Sequence, residues 1–319
     1  MGNGAEERLR RYTLRQGNPA WGQDYQPAIR ATPREGPRIS RPTSIWSARL
    51  GREVHLLSQS ETKAAYLALF HPALFDLNEQ RVLSTIPACH PLQGSPAGIG
   101  LRFPKLPGTI AIAEALGVIK RHPKLFHNFG GGEFGWVPLP YIGDLLLFLR
   151  DQKGPYCVNW NVKLTEADFF RPGPRPLGKV RRDFEATAEL RHLIEEAHYR
   201  EGNIRTVRVT GSEIDGSLIA NLRDLFGWHG REQTASEPQR QAAIEMLRAG
   251  IGGDRPAYML VREAAQATKL ADYDIMVVLY QAVWRRELRV DLFSPLLMTK
   301  QLVAEREDPL NRYADWFAR

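Results

Sequence analysis

The chain has 319 residues, 43% hydrophobic and 25% charged, the balance of a folded protein of about two domains, which excludes wholesale disorder, a collagen-like chain and a coiled-coil rod. Lys and Arg number 43 against 36 Asp and Glu, a formal net charge of +7 that suits a polyanionic partner. Two cysteines, Cys89 and Cys157, exclude a disulfide scaffold and a four-cysteine zinc site and read as free thiols of a reducing cytoplasm.

Residues 1–45 read as a basic, flexible N-terminal arm. Arg8, Arg10, Arg11, Arg15, Arg30, Arg34, Arg38 and Arg41 are interleaved with prolines, and no apolar periodicity offsets the entropy of ordering. Tyr12, Trp21 and Tyr25 among them leave open a segment that orders along nucleic acid or a partner. No hydrophobic stretch follows the polar start, so no secretory signal is expected. A structured region begins near Ile45. Residues 58–70 predict a helix on the stripe Ala64, Ala65, Leu67, Ala68 and Phe70, and 74–77 and 81–86 predict strands. The Gly- and Pro-rich stretch 87–140, with a triple glycine at 130–132, predicts long loops around a short element.

Residues 141–149 and 156–163 predict two strands joined by a turn around 151–155. The apolar run 142–149 is interrupted by Asp144 and is far too short to cross a bilayer, so no membrane association is expected. Residues 183–199 predict an amphipathic helix and 204–209 a strand. After a polar stretch at 227–238, helices are predicted over 239–249, 257–267 and 273–287, then a strand at 288–292. That order matches a winged helix-turn-helix.

Several sites are dismissed on spacing. The triple glycine lacks the Gly-Lys-Ser/Thr ending of a P-loop, residues 94–98 lack the spacing of a nucleophile elbow, and His192 and His198, six apart, cannot clamp one metal. What remains is an acidic-plus-lysine constellation. Asp144 is the sole polar residue of its apolar strand, and a buried carboxylate is costly unless paired or bound to a cation. In the next strand Val158, Trp160 and Val162 share one face and Asn159, Asn161 and Lys163 the other, so a hairpin brings Asp144 beside Asn161 and Lys163. A carboxylate, an amide oxygen and an ammonium group together suit metal-assisted phosphodiester cleavage; an ordinary strand-end salt bridge between Asp144 and Lys163 accounts for them equally. Glu61 is a further acid, and Ser58-Gln59-Ser60-Glu61 also fits a capping box in which Glu61 reaches back to the Ser58 amide.

The order Glu61, Asp144, Asn161-Val162-Lys163 resembles the restriction-endonuclease-like fold, and more closely the TnsA family, the endonuclease subunit of heteromeric cut-and-paste transposases. His55-Leu56-Leu57-Ser58-Gln59-Ser60-Glu61, with Tyr66 and Leu67 behind it, resembles that family's first helix and catalytic glutamate. Asp76-Leu77-Asn78-Glu79-Gln80 resembles the strand that follows, and Asn161-Val162-Lys163 its Gln-Val-Lys signature with one substitution. Residues 185–199 and 204–213 resemble its closing helix and strand, and Arg289-Val290-Asp291-Leu292 part of its C-terminal domain. The likeness covers about residues 46–300. Asn161 stands where Gln or Glu is usual, Gly143-Asp144-Leu145 where Pro-Asp-Phe is common, and the 87–140 insertion is long.

The resemblance implies an α/β nuclease domain over 46–215, with a mixed sheet flanked by helices, and a helical, winged-helix-like domain over 216–319. It implies a Mg²⁺-dependent DNA endonuclease, Mn²⁺ substituting, that cuts the 5′ ends of a transposon in the cytoplasm at the nucleoid. The partners implied are double-stranded DNA, a DDE transposase of the TnsB type and an ATPase regulator of the TnsC type. Glu61 and Asp144 are then metal ligands, Asn161 and the Val162 carbonyl auxiliary ligands, and Lys163 the charge-stabilising group. A restriction or phage-defence nuclease of the same fold, and a non-catalytic DNA-binding assembly protein, are the alternatives. A cluster of Arg171, Arg175, Lys179, Arg181 and Arg182, with Pro172, Pro174 and Pro176 keeping it extended, is expected to contact phosphates.

Overall fold

The computed structural model describes residues 3–37, 40–170 and 181–319. In chain order the regular elements are α1 (Asn3–Gln16), β1 (Thr43–Ser47), β2 (Arg52–Leu56), α2 (Gln59–Phe70), β3 (Leu74–Glu79), β4 (Val82–Leu83), α3 (Thr109–Ala115), β5 (Lys124–Gly130) and β6 (Glu133–Pro138). There follow β7 (Tyr141–Ile142), β8 (Leu145–Asp151), β9 (Gly154–Lys163), α4 (Arg181–Arg200), β10 (Arg205–Thr210), α5 (Gly216–His229), α6 (Glu237–Gly250), α7 (Ala257–Thr268) and α8 (Asp272–Trp284). The chain divides into two compact units: Met1–Ala64, Ala73–Ser212 and Trp316–Arg319 form one, Ala65–Pro72 and Glu213–Asp315 the other. Among the described residues no helix is long and apolar enough to cross a membrane.

The first unit is mixed α/β. Its principal sheet has the order β10-β9-β8-β3, with β10 parallel to β9 and the other pairs antiparallel. Leu145 to Leu149 are buried at every position, the pattern of a central strand covered on both faces. Asp151 pairs with Gly154, which closes a two-residue turn. Gly154 has φ +108° and the Asp151 carboxylate accepts from the Lys153 amide at 2.7 Å. On one face Trp160 packs edge-on against Trp316 and Phe317, and its indole N–H donates to the Trp316 carbonyl at 2.7 Å. The run expected as one strand over 141–149 is broken at Gly143 and Asp144, where the backbone crosses to another partner. Gly143 N donates to the Arg81 carbonyl, Gln80 N donates to the Asp144 carbonyl, and β7 pairs with β4 instead.

Residues 3–37 are not a flexible arm. The Gln16 amide donates to the Tyr25 hydroxyl and to the Gln26 and Gln80 carbonyls, each at 3.0 Å, and its oxygen accepts from the Val82 amide at 2.7 Å. The Tyr25 hydroxyl donates to the Glu79 carbonyl at 2.7 Å, and Trp21 packs against Phe148 with ring centroids 4.8 Å apart. Arg15 is spent on Glu35, at 2.7 Å. The segment is ordered by specific polar bonds and one indole, which leave no periodic signature. Arg38 and the basic cluster at 171–180 lie outside the described residues; Arg181 and Arg182 begin α4.

The second unit is helical. Asp215 caps α5 by accepting from the Leu218 amide at 2.9 Å, α5 packs on α8, and α6, α7 and α8 pack on one another. The strand expected at 288–292 forms only an isolated bridge, Val290 with Ala304. There Asp291 turns the chain instead, accepting from the Phe293 amide and the Ser294 hydroxyl at 3.0 and 2.9 Å.

Candidate active site

The first unit gathers Glu61, Gln80, Asp144, Asn161 and Lys163 at one end of the principal sheet. Leu145 lies opposite Trp160, so Asp144, one residue earlier, falls beside Asn161 and Val162. The Asp144 carboxylate accepts from the Val162 amide at 2.8 Å, and the Lys163 ammonium stands 3.6 Å from the same oxygen. Arg191 of α4 stands 4.0 Å from the other oxygen. Burial alone pushes the Asp144 carboxyl up, but Lys163, Arg191 and the Val162 amide outweigh it and hold the group below its ordinary value. Because N–H and C=O of one residue open to the same side of a strand, the Val162 carbonyl also faces the Asp144 side.

Glu61 enters from the first turn of α2. Ser60 packs directly on Gly211, where an added Cβ would lie 2.6 Å from the Ser60 hydroxyl. Gly211 N donates to the Lys163 carbonyl at 2.8 Å, so a glycine there lets the helix start close to the strand end that carries Lys163. The helix is capped, although not as expected. Ser58 Oγ accepts from the Glu61 amide at 3.1 Å, but the Glu61 carboxylate accepts from the Leu57 amide and the Ser58 hydroxyl, both at 2.9 Å. A third donor, Gln80 Nε2, lies 2.8 Å away. Even so, burial and then the Asp144 charge push the Glu61 carboxyl up to about 7.

Gln80 was not among the expected site residues, yet it ties the two acids together. Its amide side chain donates to Glu61, its backbone N–H to the Asp144 carbonyl at 2.9 Å, and its own carbonyl accepts from Ala28 and Gln16. It holds φ +50°, a left-handed conformation that a side chain adopts only where its surroundings enforce it. Beside it Glu79 and Arg52 form a buried bidentate pair, with two bonds of 2.9 Å, which anchors the end of β3.

Several buried polar atoms around Asp144 have no hydrogen-bond partner among the described residues: Asn161 Oδ1, Thr210 Oγ1, Glu195 Oε2, Asn159 Oδ1 and His192 Nδ1. Such orphans are rare in a folded chain and mark positions for water, an ion or a ligand. Glu195, fully buried and pushed up chiefly by its burial, accepts from Asn159 Nδ2 at 3.0 Å. A Cβ at Gly143 would sit 3.1 Å from its Oε1, so glycine there allows this acid to lie next to the Asp144 turn. Arg191 and Glu195 were missed because both belong to a helix whose charged residues read as a solvated face.

Among the described residues no three His, Cys, Asp or Glu side chains form a ready cation cage. A cation at this place would instead take two carboxylates, Asp144 and Glu61, with the orphaned Asn161 oxygen and the Val162 carbonyl. That donor set is all oxygen, the chemistry Mg²⁺ favours, and a divalent ion would offset both the burial and the Asp144 charge that raise the Glu61 carboxyl. No protein-family model matches the chain, and no curated protein matches it.

Proposed function

We propose that the chain is a metal-dependent DNA endonuclease of the restriction-endonuclease-like fold, acting as a TnsA-type subunit that cuts the 5′ ends of a transposon. The observation that carries this reading is the meeting of Asp144, Lys163 and the orphaned Asn161 oxygen at the end of β9, with the buried Glu61 carboxyl close enough to feel the Asp144 charge. A DDE transposase of the TnsB type, an ATPase of the TnsC type, transposon-end DNA and a nucleoid location belong to the same proposal.

Asp144 and Glu61 would hold the metal, with Asn161 and the Val162 carbonyl as further oxygen donors, and Gln80 fixes the direction of Glu61. When bound, Mg²⁺ supplies neutralisation of the scissile phosphate and a polarised water. Lys163, whose ammonium stands 3.6 Å from Asp144, would direct its charge at the negative charge developing on the phosphate. Arg191 stays near the second Asp144 oxygen and is anchored by its bond to the Ile142 carbonyl at 2.7 Å.

The test is nicking of a labelled DNA end with the transposase partner present, in Mg²⁺, in Mn²⁺ and in a chelator. Cleavage that requires the ion is the expected result. The rival, a DNA-binding assembly protein of the same fold, draws on the neutral amide at Asn161 and on the cap bonds of Glu61. It requires unaltered DNA binding in chelator and no cleavage by the wild-type chain under any condition.

A further inference from the structure

β5 and β6 make a two-stranded ribbon of their own, closed by Gly130, Gly131 and Gly132, all at positive φ. A lone ribbon is marginal in water unless one face is covered. Here Leu125 is buried, and His127 Nδ1 meets Glu6 Oε1 of α1 at 2.9 Å, so α1 covers part of the face carrying 125 and 127, where Phe129 beside His127 stays exposed. By register the other face places Phe126 opposite Trp136, Asn128 opposite Phe134, and Lys124 at its end. Phe126, Phe134 and Trp136 are 56%, 58% and 61% exposed.

These rings touch one another. Phe126 and Phe134 lie nearly parallel with centroids 5.8 Å apart, Trp136 meets Phe126 edge-on at 5.2 Å, and the Lys124 ammonium sits 4.8 Å from the Trp136 ring centre. Cross-strand ring contacts stabilise a ribbon, but they leave the outward ring faces in water. The charge around the face is positive. Lys120 and Arg121 just before β5 and Lys124 at its start are exposed, against the exposed acid Glu133 at the turn. A second copy of the chain would set these cations against one another. A strand of nucleotides meets both features, since its bases stack on ring faces whatever their sequence and its phosphates take the cations.

We propose that this aromatic face binds unpaired nucleotides of DNA, so that the substrate carries a single-stranded segment such as a flap or a frayed end. The choice of DNA rests on the endonuclease reading above; the stacking does not. The test is fluorescence anisotropy in chelator with a labelled oligothymidylate and a blunt duplex of equal length, using wild type, Phe126→Ala/Trp136→Ala and Phe126→Leu/Trp136→Leu. The leucine pair keeps an apolar ribbon face without aromatic rings, and circular dichroism checks that each variant is folded. Both variants should lose roughly tenfold or more of single-strand affinity for each ring removed, while duplex affinity stays within about twofold. Wild type that fails to hold the single strand, unchanged affinity in either variant, or an equal loss on duplex would overturn the proposal. Because binding is read without metal, absence of cleavage refutes only the endonuclease reading, and absence of a ring effect refutes only this one.

Discussion

Replacing Glu61 with Gln removes the buried charge on which the metal proposal depends, and its signature is a pH dependence. In the folded chain burial, then the Asp144 charge, raise the Glu61 carboxyl from its ordinary 4.5 to about 7. A folded-state value above the unfolded one means that the folded chain holds this proton more tightly. The stability from this group is therefore complete below pH 4.5 and is lost as pH rises through 7. At about 1.4 kcal/mol for each pH unit between the two values, the full loss is on the order of 3 kcal/mol. Asp144 acts in a different window: its carboxyl is held below 3.8, so its contribution is present above that value and disappears only as pH falls further. His90, His192 and His198, each drawn down to about 4 chiefly by burial, oppose the Glu61 trend, adding stability as pH rises from about 4 towards 6.5.

The readout is therefore the difference between wild type and Glu61→Gln, in which the histidines cancel. Gln keeps the volume and an acceptor for the Leu57 and Gln80 donors, while its NH₂ can donate to Ser58 Oγ. In urea titrations with chelator, the variant should gain about 2 kcal/mol on wild type between about pH 5 and pH 8. Mg²⁺ should then stabilise wild type more at the higher pH, because binding requires the ionised carboxylate, and should leave the variant nearly unmoved. A difference between the two proteins that does not change with pH refutes the proton assignment. Wild type indifferent to Mg²⁺ at both pH values refutes the metal role.

Asp144→Ala should abolish nicking while DNA affinity in chelator stays within about twofold; because it strips the acceptor from the buried Val162 amide, a stability loss of about 1–3 kcal/mol is expected too, and Asp144→Asn serves as the folded control. Lys163→Ala should keep Mg²⁺ stabilisation but lose a factor of about 10² or more in nicking rate, measured under single-turnover conditions. Gln80→Asn suits the left-handed backbone but falls one methylene short of Glu61, so calorimetry should find Mg²⁺ affinity lowered by about 10–100-fold with the melting temperature little changed.

How far the sequence reveals this chain depends on which forces order each part. The β8–β9 hairpin was legible because an unbroken apolar strand faces an alternating one, and Asp144 stood out as the single polar residue at its edge. Helices α4, α6, α7 and α8 followed from the 3.6-residue period. The N-terminal segment did not, because Gln16, Tyr25 and Trp21 tie it down through long-range bonds that have no period. Helix α5 was hidden by Gly227 and the polar stretch after it, although Leu218, Leu222 and Leu225 lie on one buried stripe. The β5–β6 ribbon was hidden by its glycines, which read as loop while serving as a turn.

The two meanings of Glu61, helix cap and metal ligand, are not exclusive. A cap needs the carboxylate to reach backward along the chain, and it does so to Leu57 and Ser58. A cap alone, on a solvated helix end, favours the ionised form and lowers its carboxyl. Here the carboxyl is raised, because the helix start is buried against Gly211 and its charge lies in the field of Asp144. The cap bonds fix where the oxygens point; the neighbouring acid makes that position costly for a second negative charge. Two acids tied together through Gln80, with an amide oxygen of Asn161 unpartnered among the described residues at their side, are stable together either with Glu61 protonated beside an ionised Asp144 or around a cation. The pH at which Mg²⁺ begins to stabilise the fold separates those two states. It should follow the Glu61 titration near 7, not the Asp144 titration below 3.8.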